Sequence, residues 1–429
     1  MRKFIKAASL LLAVIMLMTA TVSCADGSEG EEDTTYYSAP ENPLGAELES
    51  SNLKYGDFTY SVYKDGNISL NNYSGKEENI VLPSEIDGKP VVSIGEACFY
   101  FVTTVKTVEI PESIKYIERY AFRGASALQE ITVPAENTVI SEGTFSECSA
   151  LTRVTFEGDV TTIGEGAFYM CTSLKEIDIP ETVTTISGHA FSNCTALKSV
   201  TIPESVESIG DNAFDTCSAI TEFTFPEKVT TVGNAIFNAC ASLEKVTLAS
   251  KTRKIGAVAF YECKKLKDIV IPETVTSVGE YAFAFCEALE EIYLPDKISV
   301  LGGYTFANCV SLKNANIPAG VNVVPACMFA KCTSLEAIEF HGAVTDIDEN
   351  AFNECTAIKS ITLPDSLDYI GKYAFANMTA LESAFVPASV TMVDEGIFAA
   401  SDKVTVKCVK DSVIYDYATA NSMKVEVVE

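Results

Sequence analysis

Ile163–Pro180 reads I-G-E-G-A-F-Y-M-C-T-S-L-K-E-I-D-I-P, and the chain keeps returning to this string. Its Phe168 recurs as Phe99, Phe122, Phe145, Phe191, Phe214, Phe237, Phe260, Phe283, Phe306, Phe329, Phe352, Phe375 and Phe398. Every interval is 23 residues, with no insertion or deletion from the first copy to the last. A fixed period of this size marks a repeat solenoid, in which each coil touches only its neighbours.

Within one repeat, a cysteine stands three residues after the Phe in ten copies, from Cys148 through Cys171 and Cys194 to Cys355. Leu or Ile follows at the sixth position, as in Leu174, Leu197 and Ile220, and then come Ile177, Ile179, Pro180, Val183 and Ile186. The end of L-K-E-I-D-I-P alternates apolar and polar residues, which predicts a short strand. Proline lacks an N–H and closes that strand. The segment G-E-G-A-F-Y-M-C does not alternate and reads as a turn or one helical turn. One coil offers about five large apolar groups, worth roughly 10 kcal/mol gross if buried. Ordering its backbone costs roughly 1–2 kcal/mol per residue, so a lone coil does not fold. Stacking completes the burial and pairs each strand with the next at about 4.8 Å per coil, giving a rod or arc of about 60 Å.

The pattern L-x-x-I-x-I resembles the strand segment of a leucine-rich repeat. The fuller string I-G-x-x-A-F-x-x-C-x-x-L-x-x-I-x-I-P resembles the BspA-like leucine-rich repeats of bacterial surface proteins, over roughly residues 91–401. The resemblance implies a right-handed leucine-rich-repeat coil of β/α type, with about 13–14 repeats of 23 residues. It also implies surface binding, because BspA-like proteins include adhesins for extracellular-matrix proteins. Three copies depart from the pattern: Glu157, Ala249 and His341 replace the proline, 92 residues apart each time. That spacing fits duplication of a four-repeat block.

The flanks are off the period. Arg2, Lys3 and Lys6 precede an uncharged run ending in T-V-S-C, so residues 1–23 read as a secretory signal peptide. Ser23-Cys24 resembles a bacterial lipoprotein box, which would lipidate Cys24 and anchor the exported chain at the cell surface or outer membrane. Ordinary cleavage with release is the alternative. Thr21 departs from the usual leucine of that box. Residues 24–50 are acidic, with no Lys or Arg, and read as a disordered tether. Residues 51–90 contain two alternating runs around Asp65-Gly66, a hairpin signal, and are assigned to a β-rich N-terminal cap. Residues 402–429 are assigned to an α/β C-terminal cap: a strand at Val404–Val409, a helix at Ser412–Asn421 with Ser412 as N-cap, and a strand at Lys424–Val428.

The chain has 429 residues and a formal net charge of −28. Phosphates would be repelled, so nucleic acid is excluded as a default partner. Fourteen cysteines in an exported chain suggest disulfides, yet ten share one position in line with the Phe and Leu columns. They read as buried thiols, with disulfides and a metal site as the alternatives. Nucleophile elbows, zinc-protease and phosphate-loop motifs and C-x-x-C are absent from the sequence. The two histidines, His189 and His341, are too far apart to share a site and read as surface residues. The expectation is no catalytic residue, metal or cofactor.

Binding then falls to the outward strand position between the two Ile residues. Its N-terminal part is mostly a threonine row, for which sheet stabilisation is the plain reading. Asp178, Val270, Tyr293, Asn316, Glu339 and Phe385 break that row and are the candidate contacts for an extracellular protein or glycan. A second row alternates in sign, Glu244, Lys267, Glu290, Lys313, Glu336 and Lys359, and is expected to pair between coils. The leading expectation is an adhesin-like surface protein whose only membrane contact is its lipid. The alternative is a structural, self-assembling envelope protein.

Overall fold

The computed structural model describes residues 44–428. The signal peptide, Cys24 and most of the acidic stretch lie outside the described residues. Leu48–Tyr55, Phe58–Tyr63 and Ile68–Tyr73 form an antiparallel sheet. Its first strand begins inside the stretch read as tether. The second and third strands meet at the predicted hairpin, where Gly66 has φ +87° and the Asn67 N–H donates to Asp65 Oδ1 at 3.0 Å. The third strand then pairs in parallel with Lys89–Ile94, which starts the coil geometry.

From there two parallel ladders run along the molecule. One is built from the predicted strands: Thr107–Glu109, Glu130–Val133 and Arg153–Phe156 are the first coils, with Val154 opposite Ile131. The other uses two-residue strands around the second Ile of each repeat. Examples are Thr162–Ile163, Thr185–Ile186 and Ser208–Ile209, with Ile163 opposite Ile186. Within the repeats, partners in both ladders are one period apart, so every apolar column stays in line.

The segment between the ladders is a chain of turns, and Val413–Ala420 is the one helix among the described residues. Two residues per coil take positive φ, two before and two after the Phe. Val258 has φ +60°, and Met170 and Thr216 have +58° and +57°. Such a conformation costs a non-glycine residue about 1–2 kcal/mol. It is offset because it aims N–H groups at the following coil: the Phe168 N–H donates to Ala190 O at 2.8 Å, and that of Met170 to Ser192 O at 2.9 Å. Gly164 permits a close approach between coils. Its N–H donates to Ile140 O at 2.8 Å, and a Cβ there would lie 2.6 Å from the same oxygen.

The fourteen Phe rings form one stacked column, with neighbouring centroids 4.9–5.8 Å apart and planes within 22°. Beside it, all ten row cysteines are free, buried thiols. Each donates its S–H to the Phe carbonyl of the preceding coil, as Cys171 does to Phe145 O at 3.1 Å and Cys240 to Phe214 O at 3.2 Å. That carbonyl also accepts the backbone N–H of its own coil's cysteine, 3.2 Å away for Phe145 and Cys148. In the last coil Ser401 Oγ takes the thiol's place on Phe375 O at 2.9 Å.

Phe58 and Tyr73 close the column at one end, 6.1 and 5.3 Å from Phe99. At the other end, Thr405–Val409 continues the first ladder and Lys424–Val428 pairs with it in parallel. Ser412 Oγ accepts the Tyr415 N–H at 3.3 Å, as its N-cap reading requires.

Burial pushes the row thiols up, to about 12 for Cys194 and Cys309. Iodoacetamide at pH 8 should therefore leave them unmodified until the chain unfolds. Cys327, at a turn position outside the row, should be modified first, as read by peptide mass spectrometry. Phe237→Ala should destabilise the protein by about 3–5 kcal/mol in urea unfolding.

Candidate binding surface

The outward strand position carries two kinds of surface. In the N-terminal coils Thr132, Thr155, Thr201, Thr224 and Thr247 are exposed, as is Asp178 among them. Thr155 lies opposite Thr132, Thr247 opposite Thr224, and Asp178 bridges to Thr201. Like groups in register make a uniform polar strip, and Asp178 is a single charge on it. The strip then changes to Val270 and Tyr293, 75% and 56% exposed and one period apart.

Beyond Tyr293 the expected row of exposed contacts is interrupted at Asn316 and resumes at Glu339. Asn316 is buried, not outward and accessible. Its amide takes the place of a missing ladder rung: Oδ1 accepts the Leu294 N–H at 2.8 Å, and Nδ2 donates to Leu294 O at 2.8 Å. A side-chain amide presents the same donor and acceptor as a peptide group, so it can pair a neighbouring backbone that has no strand partner. In this ladder the strand pairing between these two coils shrinks to an isolated bridge, Glu291 to Asn314.

His341, read as an isolated surface residue, belongs to the same spot. It replaces the usual proline, and its backbone N–H donates to Ile317 O at 3.0 Å, a bond proline cannot make. Its ring lies 6.0 Å from the Tyr293 ring. Nδ1 contacts Asp296 Oδ1 at 2.9 Å, and Nε2 lies 3.5 Å from Glu339 Oε2. Asp296 also accepts the Ala319 N–H at 3.1 Å, which with His341 holds its carboxyl below the usual range. The imidazole is correspondingly held above its ordinary value, by the hydrogen bond to Asp296 first and then that to Glu339. The patch thus joins two apolar groups to a fixed imidazole and two exposed carboxylates. Phe385 is half-buried between Thr362 and Lys407, four periods from Tyr293, and is not part of it.

In the charge row two pairs form, Lys267–Glu244 at 2.9 Å and Lys313–Glu290 at 2.6 Å, both exposed. They add electrostatic register without building a pocket. Among the described residues no group of His, Cys, Asp and Glu has the arrangement of a metal site. No helix there is long and apolar enough to cross a membrane.

Residues 67–198, 185–313 and 300–426 match the BspA type leucine-rich repeat region. The chain belongs to the BspA-type leucine-rich repeat family. No curated protein matches it. A leucine-rich repeat protein from Bacteroides ovatus has a similar solved structure. It is 28% identical with a TM-score of 0.80, and the match covers 88% of this chain and all (100%) of that one. A leucine rich cell surface protein from Faecalibacterium prausnitzii is 25% identical over 88% of this chain and 98% of its own, with a TM-score of 0.55. The pneumococcal vaccine antigen PcpA shares the fold at 19% identity and a TM-score of 0.51, over 89% of this chain and 100% of its own.

In this BspA-type protein the Asn316 amide is structural. Asn316→Ala should leave Leu294 N–H and C=O unpaired and cost about 2 kcal/mol in urea unfolding. His341 should titrate by NMR above about 6.5, and Asp296→Asn should bring it down. Because its folded value is raised, its contribution to stability is complete below about 6.5. That contribution is lost as pH rises through the folded value.

Proposed function

We propose that this chain is an exported, non-catalytic binding protein of the bacterial surface. It holds an extracellular protein or glycan on its strand-lined face, with the Val270–Tyr293–His341 patch at the centre of contact. The observation that carries the reading is the break in an otherwise repetitive strip. Val270 and Tyr293 stand exposed where the preceding coils mostly present threonine, and the His341 ring beside Tyr293 contacts Asp296 and Glu339. Exposed aromatic groups rimmed by polar ones suit a docking surface, and the chain's net charge of −28 favours a partner with basic patches. The family resemblance to adhesins supports the reading, as does the cell-surface description of the F. prausnitzii relative. Lipidation of Cys24 would supply the anchor.

A pull-down of purified protein against matrix proteins and glycans tests this. Val270→Ala/Tyr293→Ala should weaken any captured ligand about tenfold or more. Asp178→Ala, on the threonine strip, should leave it unchanged. Mass spectrometry of the mature N-terminus should find a lipid-modified Cys24. An unmodified N-terminal peptide that starts elsewhere removes the anchor.

One feature favours self-assembly instead: among the described residues, Lys424–Val428 has no strand partner on its outer edge, and Val427 is 54% exposed. Concentration-dependent oligomers in sedimentation, lost in Val427→Lys, would support that reading.

A further inference from the structure

A second feature lies on the turn segments and uses none of the strand-row residues. The residue two before each Phe stands at positive φ, and in most coils it carries a side chain: Tyr120, His189, Asn212, Tyr281, Tyr304, Tyr373. Gly143 and Gly166 are consecutive coils without one. Tyr120 folds over the first of these, where a Cβ on Gly143 would come within 2.4 Å of its ring. Over Gly166 nothing comes closer than Tyr169 Cβ, 3.7 Å from where its own Cβ would be. The result is an open trough of about 310 Å³, walled by Tyr120, Tyr169, Arg123, Glu142, Glu165 and His189.

The lining is aromatic and net acidic. Arg123 is committed to Glu147, through Nε at 3.1 Å and Nη2 at 2.9 Å, and lies 5.6 Å from the Tyr120 ring centre. The Tyr120 hydroxyl donates to Glu142, which fixes the ring. Glu165 faces the Gly188 backbone and His189, and burial holds its carboxyl above the usual range. A carboxylate in that position gains from a donor brought to it by a ligand.

We propose that the trough over Gly166 is a binding site for a short saccharide with uncharged or amine-bearing rings. Sugar C–H faces pack on phenol rings, and sugar hydroxyl or amine groups donate to carboxylates. The volume lies near the lower end of ligand clefts, about 300–1,000 Å³, and fits a few rings rather than a folded partner. Glu142 and Glu165, neither of them in a salt bridge among the described residues, reject anionic sugars by like-charge repulsion.

Saturation-transfer NMR on the full mature protein tests this with glucosamine disaccharide, lactose and sialyllactose. Transfer is expected to the first two and not to the third. Glu165→Gln should weaken binding about tenfold. Gly166→Tyr should abolish it by filling the trough, and the fold tolerates Tyr in this conformation, as Tyr281 and Tyr304 occupy it at φ +55° and +58°. An unchanged thermal midpoint for Gly166→Tyr shows that the coil is intact. Absence of transfer to either sugar, or transfer that survives Gly166→Tyr, overturns the proposal. Displacement of both sugars by tetralysine at equal concentration also overturns it, and assigns the trough to basic peptides.

Discussion

The carbonyl oxygen of ten column phenylalanines, Phe122 through Phe329, is the joint between successive coils. It sits at the centre of a sealed core, where an unpaired acceptor costs about 1–3 kcal/mol. It accepts one N–H from its own coil and one S–H from the next, as Phe145 O does from Cys148 and Cys171. A thiol suits this position. It is small and apolar enough to lie among Phe and Leu at little desolvation cost, yet it still carries a donor. That requirement accounts for a cysteine column without disulfides, and for Ser401 taking over on Phe375 O in the last coil. It also holds the period at 23 residues, because a shift of one residue would separate the donor from the acceptor.

A core repeated this rigidly leaves function to residues outside it. The outward strand position tolerates Thr, Asp, Val, Tyr, Glu and Phe because none of them alters the column behind. Departures that coincide are the informative ones. Tyr293, Asn316, Asp296 and His341 come from adjacent coils and meet at one spot. Asn316 closes the backbone gap there, and the absence of proline at 341 frees an N–H for Ile317 O. Rigidity beneath and variation above are what a preorganised contact surface requires.

The Phe, Cys and Leu columns were legible in the sequence because burial selects the same residue at the same phase in every copy. The Asp65-Gly66 hairpin and the Ser412 N-cap were legible because both rest on local chemistry. The second ladder was not, since two residues such as Thr185–Ile186 are too few to show alternation. The paired positive-φ turns were not, since Val258 and Thr216 are residues that ordinarily avoid that conformation. Alternation placed Asn316 in the outward, exposed row, and the structure buries it. Its burial depends on a rung missing between neighbouring strands, which no single repeat reveals. His341 reaches Asp296 from 45 residues away, nearly two coils, so its partner is visible only once the coils are stacked.

Stacking also sets the size of any site this chain can build. Side chains on one face recur every 4.8 Å or so, and a typical side chain reaches its own coil and the neighbours on either side. A binding feature therefore needs two or three consecutive coils to depart together. The Tyr293 patch and the trough over Gly166 both meet that condition, the first by adding rings and charges, the second by omitting side chains at Gly143 and Gly166. An isolated departure such as Asp178, which lies between Thr155 and Thr201, has no altered neighbours to share a ligand with. In a solenoid of identical coils, clustering of departures is thus stronger grounds for function than the chemistry of any one residue.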